Sequence, residues 1–297
     1  MNRIKIVLPD GSMQGVVSSL MEKAGLPVRI EKTRTKKGSV PCDWIDYLSF
    51  QRPEDIPRLL RRGIFDIAIV GDDWVEESGY DFPILLKMPI GRGGDKPVRI
   101  VLAVAEDSNI YEVSHLHGLT IATEYMELTK RFLLEQGVFD AKIFRSPGNT
   151  EHKIGLGMAD AIVDVTESGS SLIENNLRVI AEVMKSNTVI VANPASFSDE
   201  NKRPFLECFA RLIEGAFVAE RYALITANVP KGKLEEAGAV MGGLKSSSCF
   251  KTLDDNWLAL QAVVLREEET KIILRLLEIG VKDIFVIRDI PIVMKGN

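Results

Sequence analysis

Apolar residues along the chain recur with two periods. Short runs rich in β-branched residues alternate with stretches where apolar positions return every three to four residues. RIKIVL near the amino terminus reads as a strand, broken by PDGS before a helix that runs through Ala24. EDIPRLLRRG reads as a helix stopped by Gly63, which has the place of a C′ glycine. FDIAIVG is apolar on both faces and is expected to be a central strand of a parallel sheet. PILLKMPI, VRIVLAVA, LTIATEY, AKIFRS and DAIVDV are further strands, with helix or loop between them. The alternation predicts an α/β layered fold.

Punctuation divides this pattern. GRGGDKP, Gly91 to Pro97, is a breaker-rich crossing between two blocks, and a second crossing is expected near Ile180–Lys185. Residues 1–95 then form one lobe and residues 96–181 a second. Residues 182–219 return to the first lobe and add a connecting helix, in which Phe205, Phe209, Leu212, Ile213, Ala216 and Phe217 repeat at helical spacing as core. A cleft between two lobes is a natural ligand site. Residues 220–297 run β-α-β-β-α-β, the order of a ferredoxin-like module, with Asp254–Asn256 as a hairpin turn and Ile272, Ile273, Leu276 and Leu277 on one helix face.

Composition narrows the partners. The 297 residues are 45% hydrophobic and 27% charged with a formal net charge of -5, which disfavours nucleic acid or an anionic membrane as the main partner. Lys32, Arg34, Lys36 and Lys37 cluster locally, as a solvated loop or an anion contact. Cys42, Cys208 and Cys249 are odd in number and lack metal-ligand spacing, which fits a reduced cytoplasmic compartment. No stretch resembles a signal peptide or approaches the roughly 18 apolar residues of a membrane span. His115 and His117, in SHLHG, read as a turn.

The candidate chemistry lies in DAIVDVTESGSSL, Asp160 to Leu172. A strand ending near Val165 presents its loop at the carboxyl edge of the sheet, where α/β proteins bind ligands. Gly169 lets a ligand approach the backbone, and the hydroxyls of Ser168, Ser170 and Ser171 with the amides of the next helix can donate to phosphate. Asp164 and Glu167 can accept from sugar hydroxyls or help hold magnesium. The plainer reading makes Ser168 or Ser170 a helix N-cap. Asp72 and Asp73 follow a central strand, either as substrate contacts or as an N-cap and first-turn acid.

GMADAIVDVTESGSSL, with Glu151 upstream in GNTEHKIG, resembles the phosphoribosyl-diphosphate motif of the ATP phosphoribosyltransferase family, which opens histidine biosynthesis. RIKIVLPDGS, DIPRLLRRGIFDIAIVGDDWVEE, IATEY with TKRFL, and PFLECFARLIEGAFVAERY are similar to further stretches of that family, so the likeness spans essentially the whole chain. It implies a two-lobed, periplasmic-binding-protein-like catalytic body with a C-terminal ferredoxin-like regulatory domain, the long form of the family. It also implies the reaction, attack of ATP N1 on phosphoribosyl diphosphate with release of pyrophosphate, and magnesium as cofactor. Ser168, Gly169, Ser170, Ser171 and Leu172 would hold the 5′-phosphate. Asp164 and Glu151 would face the ribose hydroxyls and the metal. Gly11, Ser12, Arg34, Asp72 and Asp73 would meet ATP. L-Histidine would inhibit through a loop containing Ser246 and Ser248, and dimers would assemble into a homohexamer.

The family usually carries a lysine where Asp10 stands and basic residues where Leu119 and Thr120 stand. Those changes motivate a second reading, a catalytically weak relative that binds a nucleotide or phosphoribosyl diphosphate as a regulatory protein. In GGLKSSSC, Ser247 stands where the histidine loop usually has proline.

Overall fold

The computed structural model describes residues 3–30, 36–91, 93, 96–243 and 247–289. The chain forms two compact units, Met1–Ser18 with Val28–Glu207, and Ser19–Pro27 with Cys208–Asn297. Its elements begin with β1 (Ile4–Pro9), α1 (Ser12–Lys23), β2 (Arg29–Ile30), β3 (Lys37–Ser39), β4 (Ile45–Gln51), α2 (Ile56–Arg61), β5 (Ile67–Gly71), α3 (Asp72–Ser78) and β6 (Ile84–Met88). They continue as β7 (Val98–Ala105), β8 (Thr120–Thr123), α4 (Met126–Glu135), β9 (Lys142–Arg145), α5 (His152–Gly155), β10 (Ala161–Thr166), α6 (Ser170–Glu174) and β11 (Leu177–Ser186). The return is β12 (Thr188–Ala192), α7 (Pro194–Ser198) and α8 (Arg203–Ala219).

The larger unit has two sheets. The first has the order β2-β3-β4-β1-β5-β12-β6, and the second β11-β7-β10-β8-β9. β5 is central and buried, as its apolar run predicts, and it pairs parallel with β1. Its other neighbour, β12, is antiparallel, so the sheet is mixed. The reason is connectivity. β12 follows β11 after one residue, Asn187, and so enters the first sheet from the opposite end. β11 stays paired with β7 as far as Ser186 opposite Val98, and the second lobe therefore reaches residue 186 rather than 181. Irregular pairing between Val179 and Ala181 and between Glu182 and Met184 breaks the two-residue alternation there, which makes the strand look like a connection.

Alternation fixes the second sheet between two cores. Ile100, Leu102 and Val104 of β7 face one cluster, with Tyr125, Leu128 and Leu133, while Val101 and Ala103 face another, with Ile162, Leu172 and Leu177. In the first lobe, Val7, Ile56, Leu60, Phe65, Ala68, Val70 and Val189 close the core. Each fully buried Val, Leu, Ile or Phe among them contributes about 1.5–3 kcal/mol.

The smaller unit adds β13 (Tyr222–Pro230), α9 (Leu234–Met241), β14 (Ser248–Lys251), β15 (Trp257–Leu265), α10 (Glu269–Glu278) and β16 (Lys282–Arg288). Its antiparallel sheet has the order β14-β15-β13-β16, the ferredoxin-like arrangement. Ala223, Ile225, Ala227 and Val229 point inward beneath both helices. Asp254 makes the hairpin turn by accepting from the Asn256 amide at 2.9 Å. On α10, Ile272 and Leu276 are buried, whereas Leu277 is exposed. On α8 the buried face is Leu206, Phe209, Ile213 and Ala216, and Phe205, Leu212 and Phe217 are half-buried. Among the described residues no helix is long and apolar enough to cross a membrane.

Candidate active site

β10 carries Asp164 and ends at the hydroxyl-rich loop. Thr166 Oγ1 accepts from the Gly169 amide at 3.0 Å, which turns the chain tightly. Gly169 takes the helix N-cap position with φ +81°, a left-handed backbone that explains glycine there. Neither serine caps α6 by its side chain, as the plainer reading required. Ser168 Oγ instead lies 2.8 Å from Ser170 Oγ and accepts from the Ser170 amide at 3.3 Å. The Ser168, Ser170 and Ser171 side chains remain exposed, and Leu172 is buried as the anchor of the loop. Ser171 Oγ donates to Glu151 Oε1 at 3.3 Å, so the residue before α5 and the loop after β10 meet. Asp164 is half-buried and accepts from the Val165 amide at 2.7 Å.

Between the lobes lies a small cavity whose walls include Ser12, Asp73, Trp74, Tyr125, Val165 and Ser186. Ser12 begins α1, directly after Gly11. Asp73 is 4% exposed. It accepts from the Tyr125 hydroxyl at 2.8 Å and from Ser186 Oγ at 2.8 Å, and both donors belong to the second lobe. Burial pushes the Asp73 carboxyl above its ordinary value, against the lowering effect of these hydrogen bonds. The ring of Trp74 lies against Tyr125 with centroids 4.6 Å apart.

Asp72 is held differently. Its carboxylate accepts from the Asn187 amide at 2.8 Å and the Asn187 side chain at 3.1 Å, and it pairs with Lys87 at 2.9 Å. These contacts fasten Asp72 to the second crossing. Both acids are first-turn residues of α3, and the N-cap is Gly71. A methyl group at Gly71 would overlap Asp73 Oδ1, so the close approach demands glycine.

At the edge of β1, Asp10 is ion-paired with Lys36, so its negative charge is countered within the lobe. Leu119 packs against the core of the second lobe, and the Thr120 amide donates to Asp160 at 2.8 Å. Arg34 and Ser246 lie outside the described residues. Ser248 opens β14, exposed, opposite Gln261. His117 pairs with Asp140 at 2.7 Å and His115 with Glu112 at 3.4 Å, next to a short helical turn. Among the described residues no group of three or more His, Cys, Asp or Glu has the arrangement of a metal site. Trp74, Tyr125, Ser186 and Asn187 went unpredicted. Tyr125 and Trp74 stand inside the family-like stretches IATEY and GDDW, but their roles depend on contacts across the lobes.

A family model described as ATP phosphoribosyltransferase matches residues 52–215, and one described as HisG, C-terminal domain, matches residues 219–288. An ATP phosphoribosyltransferase of Chlorobium phaeobacteroides is 35% identical over 284 residues, 96% of this chain and 95% of that relative. One from Pelotomaculum thermopropionicum is 34% identical over 282 residues, covering 95% and 96%. Among solved structures, the ATP phosphoribosyl transferase (HisG:HisZ) complex from Thermotoga maritima aligns with a TM-score of 0.59 at 28% identity. That match covers 71% of this chain and 98% of the other.

Proposed function

We propose a reaction from one premise: this chain belongs to the ATP phosphoribosyltransferase family, whose activity is the first step of histidine biosynthesis. In our reading, N1 of ATP attacks the anomeric carbon of phosphoribosyl diphosphate. The new N–C bond forms as the C–O bond to pyrophosphate breaks, giving N1-(5-phosphoribosyl)-ATP. Adenine N1 already carries its lone pair, so no activated side-chain nucleophile is needed. The protein supplies orientation and charge compensation.

The observation that carries this reading is the contact between Glu151 and Ser171, which joins two separate motifs beside β10, whose Val165 lines the cavity. Ser168, Ser170 and Ser171 turn their hydroxyls to the 5′-phosphate, and Gly169 leaves its approach open. Asp164 and Glu151 accept from the ribose hydroxyls. Ser12 meets the nucleotide at the start of α1, and Trp74 and Tyr125 offer an aromatic wall to adenine. Asp164 and Glu151 are hard oxygen donors, and among the described residues no group of three or more His, Cys, Asp or Glu forms a metal site. They suit a magnesium ion that keeps water and substrate phosphate in its shell. When bound, that ion neutralises the leaving pyrophosphate. The C-terminal unit is the seat of histidine inhibition, at a surface that includes Ser248, and of assembly into a homohexamer. The reaction runs in the cytoplasm.

Mixing ATP, phosphoribosyl diphosphate and magnesium with the protein will release pyrophosphate and change the adenine absorbance. Ser168→Asp, which places a negative charge against the 5′-phosphate, lowers that rate by about two orders of magnitude. Wild-type rates in the variant would remove the loop from the site. The acid at Asp10 favours a second reading, binding without turnover, and the same assay decides between them.

A further inference from the structure

Two arginines from opposite lobes converge on one carboxylate beside the cavity. Arg52 follows β4 in the first lobe, and Arg145 ends β9 in the second. Both strands are parallel to a neighbour in their sheet, β4 to β1 and β9 to β8, and both arginines sit at the carboxyl ends. That is the edge at which α/β sheets receive ligands. Arg52 Nη1 is 3.8 Å and Arg145 Nη2 is 3.6 Å from the same atom, Glu54 Oε1. Pro53, between Arg52 and Glu54, forms part of the cavity wall.

The contacts are loose. Charge-assisted guanidinium–carboxylate hydrogen bonds are about 2.7–2.9 Å long. Among the described residues, neither the Arg52 nor the Arg145 side chain donates a hydrogen bond to a protein acceptor within 3.5 Å. Arg178 shows what a structural arginine does here: it donates to the carbonyls of Ser108 and Ile110 at 2.9 and 2.7 Å and stacks on Tyr111. The Arg52 and Arg145 side chains are 72% and 61% exposed, and a pair this open adds little stability. Glu54, at 24%, is the more enclosed member. Two guanidinium forks with uncommitted donors, gathered from both lobes around one oxygen, have the layout of an anion site with a side chain at its centre.

We propose that Arg52 and Arg145 form a polyphosphate clamp across the cleft, and that Glu54 is the internal anion holding them together until substrate takes its place. The phosphate source rests on the phosphoribosyl-transfer reading: the triphosphate of ATP or the diphosphate of phosphoribosyl diphosphate. Because the forks come from different lobes, filling the clamp draws the lobes together.

Calorimetry of the full chain with inorganic pyrophosphate and magnesium tests the clamp without turnover. Wild type binds. Arg145→Ala and Arg52→Ala each weaken binding by about tenfold or more, and Arg145→Lys recovers part of the loss. Glu54→Gln, which removes the competing anion, tightens binding severalfold. A plain latch between lobes predicts the contrary for that last variant, because removing either partner of the pair breaks the latch alike. Weaker binding in both Glu54→Gln and Arg145→Ala, or an Arg145→Ala affinity within twofold of wild type at unchanged melting temperature, overturns the proposal. In turnover, a rise in KM for ATP alone or for phosphoribosyl diphosphate alone identifies the source, and a rise in neither counts against the clamp. Absence of turnover in wild type, with the calorimetric pattern intact, sinks the transfer reaction and leaves the clamp standing.

Discussion

Asp73 is almost wholly buried, yet it lines the cavity and receives two hydroxyl donors from the far lobe. Burial raises its carboxyl above the ordinary value of 3.8. An acid raised by folding holds its proton more tightly in the folded chain, so folding takes up a proton between the two values. Its contribution to stability is therefore complete below the ordinary value and declines as pH rises to the folded one. Denaturant unfolding across pH will show that decline in wild type and lose this component in Asp73→Asn. Tyr125→Phe removes one donor from the buried acid and is expected to cost about 1.5–3 kcal/mol, measured by the same unfolding at neutral pH. Trp74 completes the arrangement by packing against the apolar cores of both lobes. None of this pairing is written locally. GDDW announces acids at a helix start, and only the approach of the second lobe separates Asp73, which turns into the cavity, from Asp72, which pins Asn187.

Between elements, the clearest link joins α3 to α4. Glu77 Oε1 accepts from the Glu127 amide at 3.1 Å and Oε2 from the Leu128 amide at 2.9 Å. α4 has no side-chain cap of its own at Tyr125, so a carboxylate from another element stands at its positive end. Arg131 adds a second tie, donating to the Glu76 carbonyl at 3.0 Å. Glu77→Ala is predicted to cost about 1–2 kcal/mol and to speed amide hydrogen exchange at Glu127 and Leu128, read by NMR. Unchanged exchange at those amides would mean the cap is idle. The elements themselves were legible: strands such as IAIV and helices such as α8 follow from apolar period alone. The second crossing was not, because bulges in β11 disguise a paired strand. Nor were the capping of α4 or the gathering of Arg52, Glu54 and Arg145, since each joins residues about 50–90 positions apart whose meeting depends on how the sheets are ordered. In the loop after β10, composition marked a hydroxyl-rich segment, but the cap passed to Gly169 because only a left-handed residue closes that turn.

At the scale of the molecule, the chain divides into two compact units. The smaller unit is a complete ferredoxin-like sheet with its own core, and Ser248 begins its edge strand. We expect L-histidine to inhibit transfer by the full chain. A bulky Ser248→Trp substitution at this exposed position should abolish the inhibition while leaving melting temperature and uninhibited rate unchanged. Inhibition that persists at the wild-type histidine concentration in that variant would move the effector elsewhere. The boundary of this unit is not a single cut, because residues 19–27 belong with those from 208 onward. Leu20, Met21 and Leu26, all buried in the finished protein, lie in that early piece. On the ribosome they emerge about 180 residues before Cys208, a wait of roughly 10–35 s at ordinary rates of synthesis. For that interval the nascent chain carries an apolar segment whose partners have not been made. Its demand for a chaperone is thus set by the order of translation, and a circular permutant opened after Pro27, in which residues 19–27 are made after residues 208–297, would relieve it.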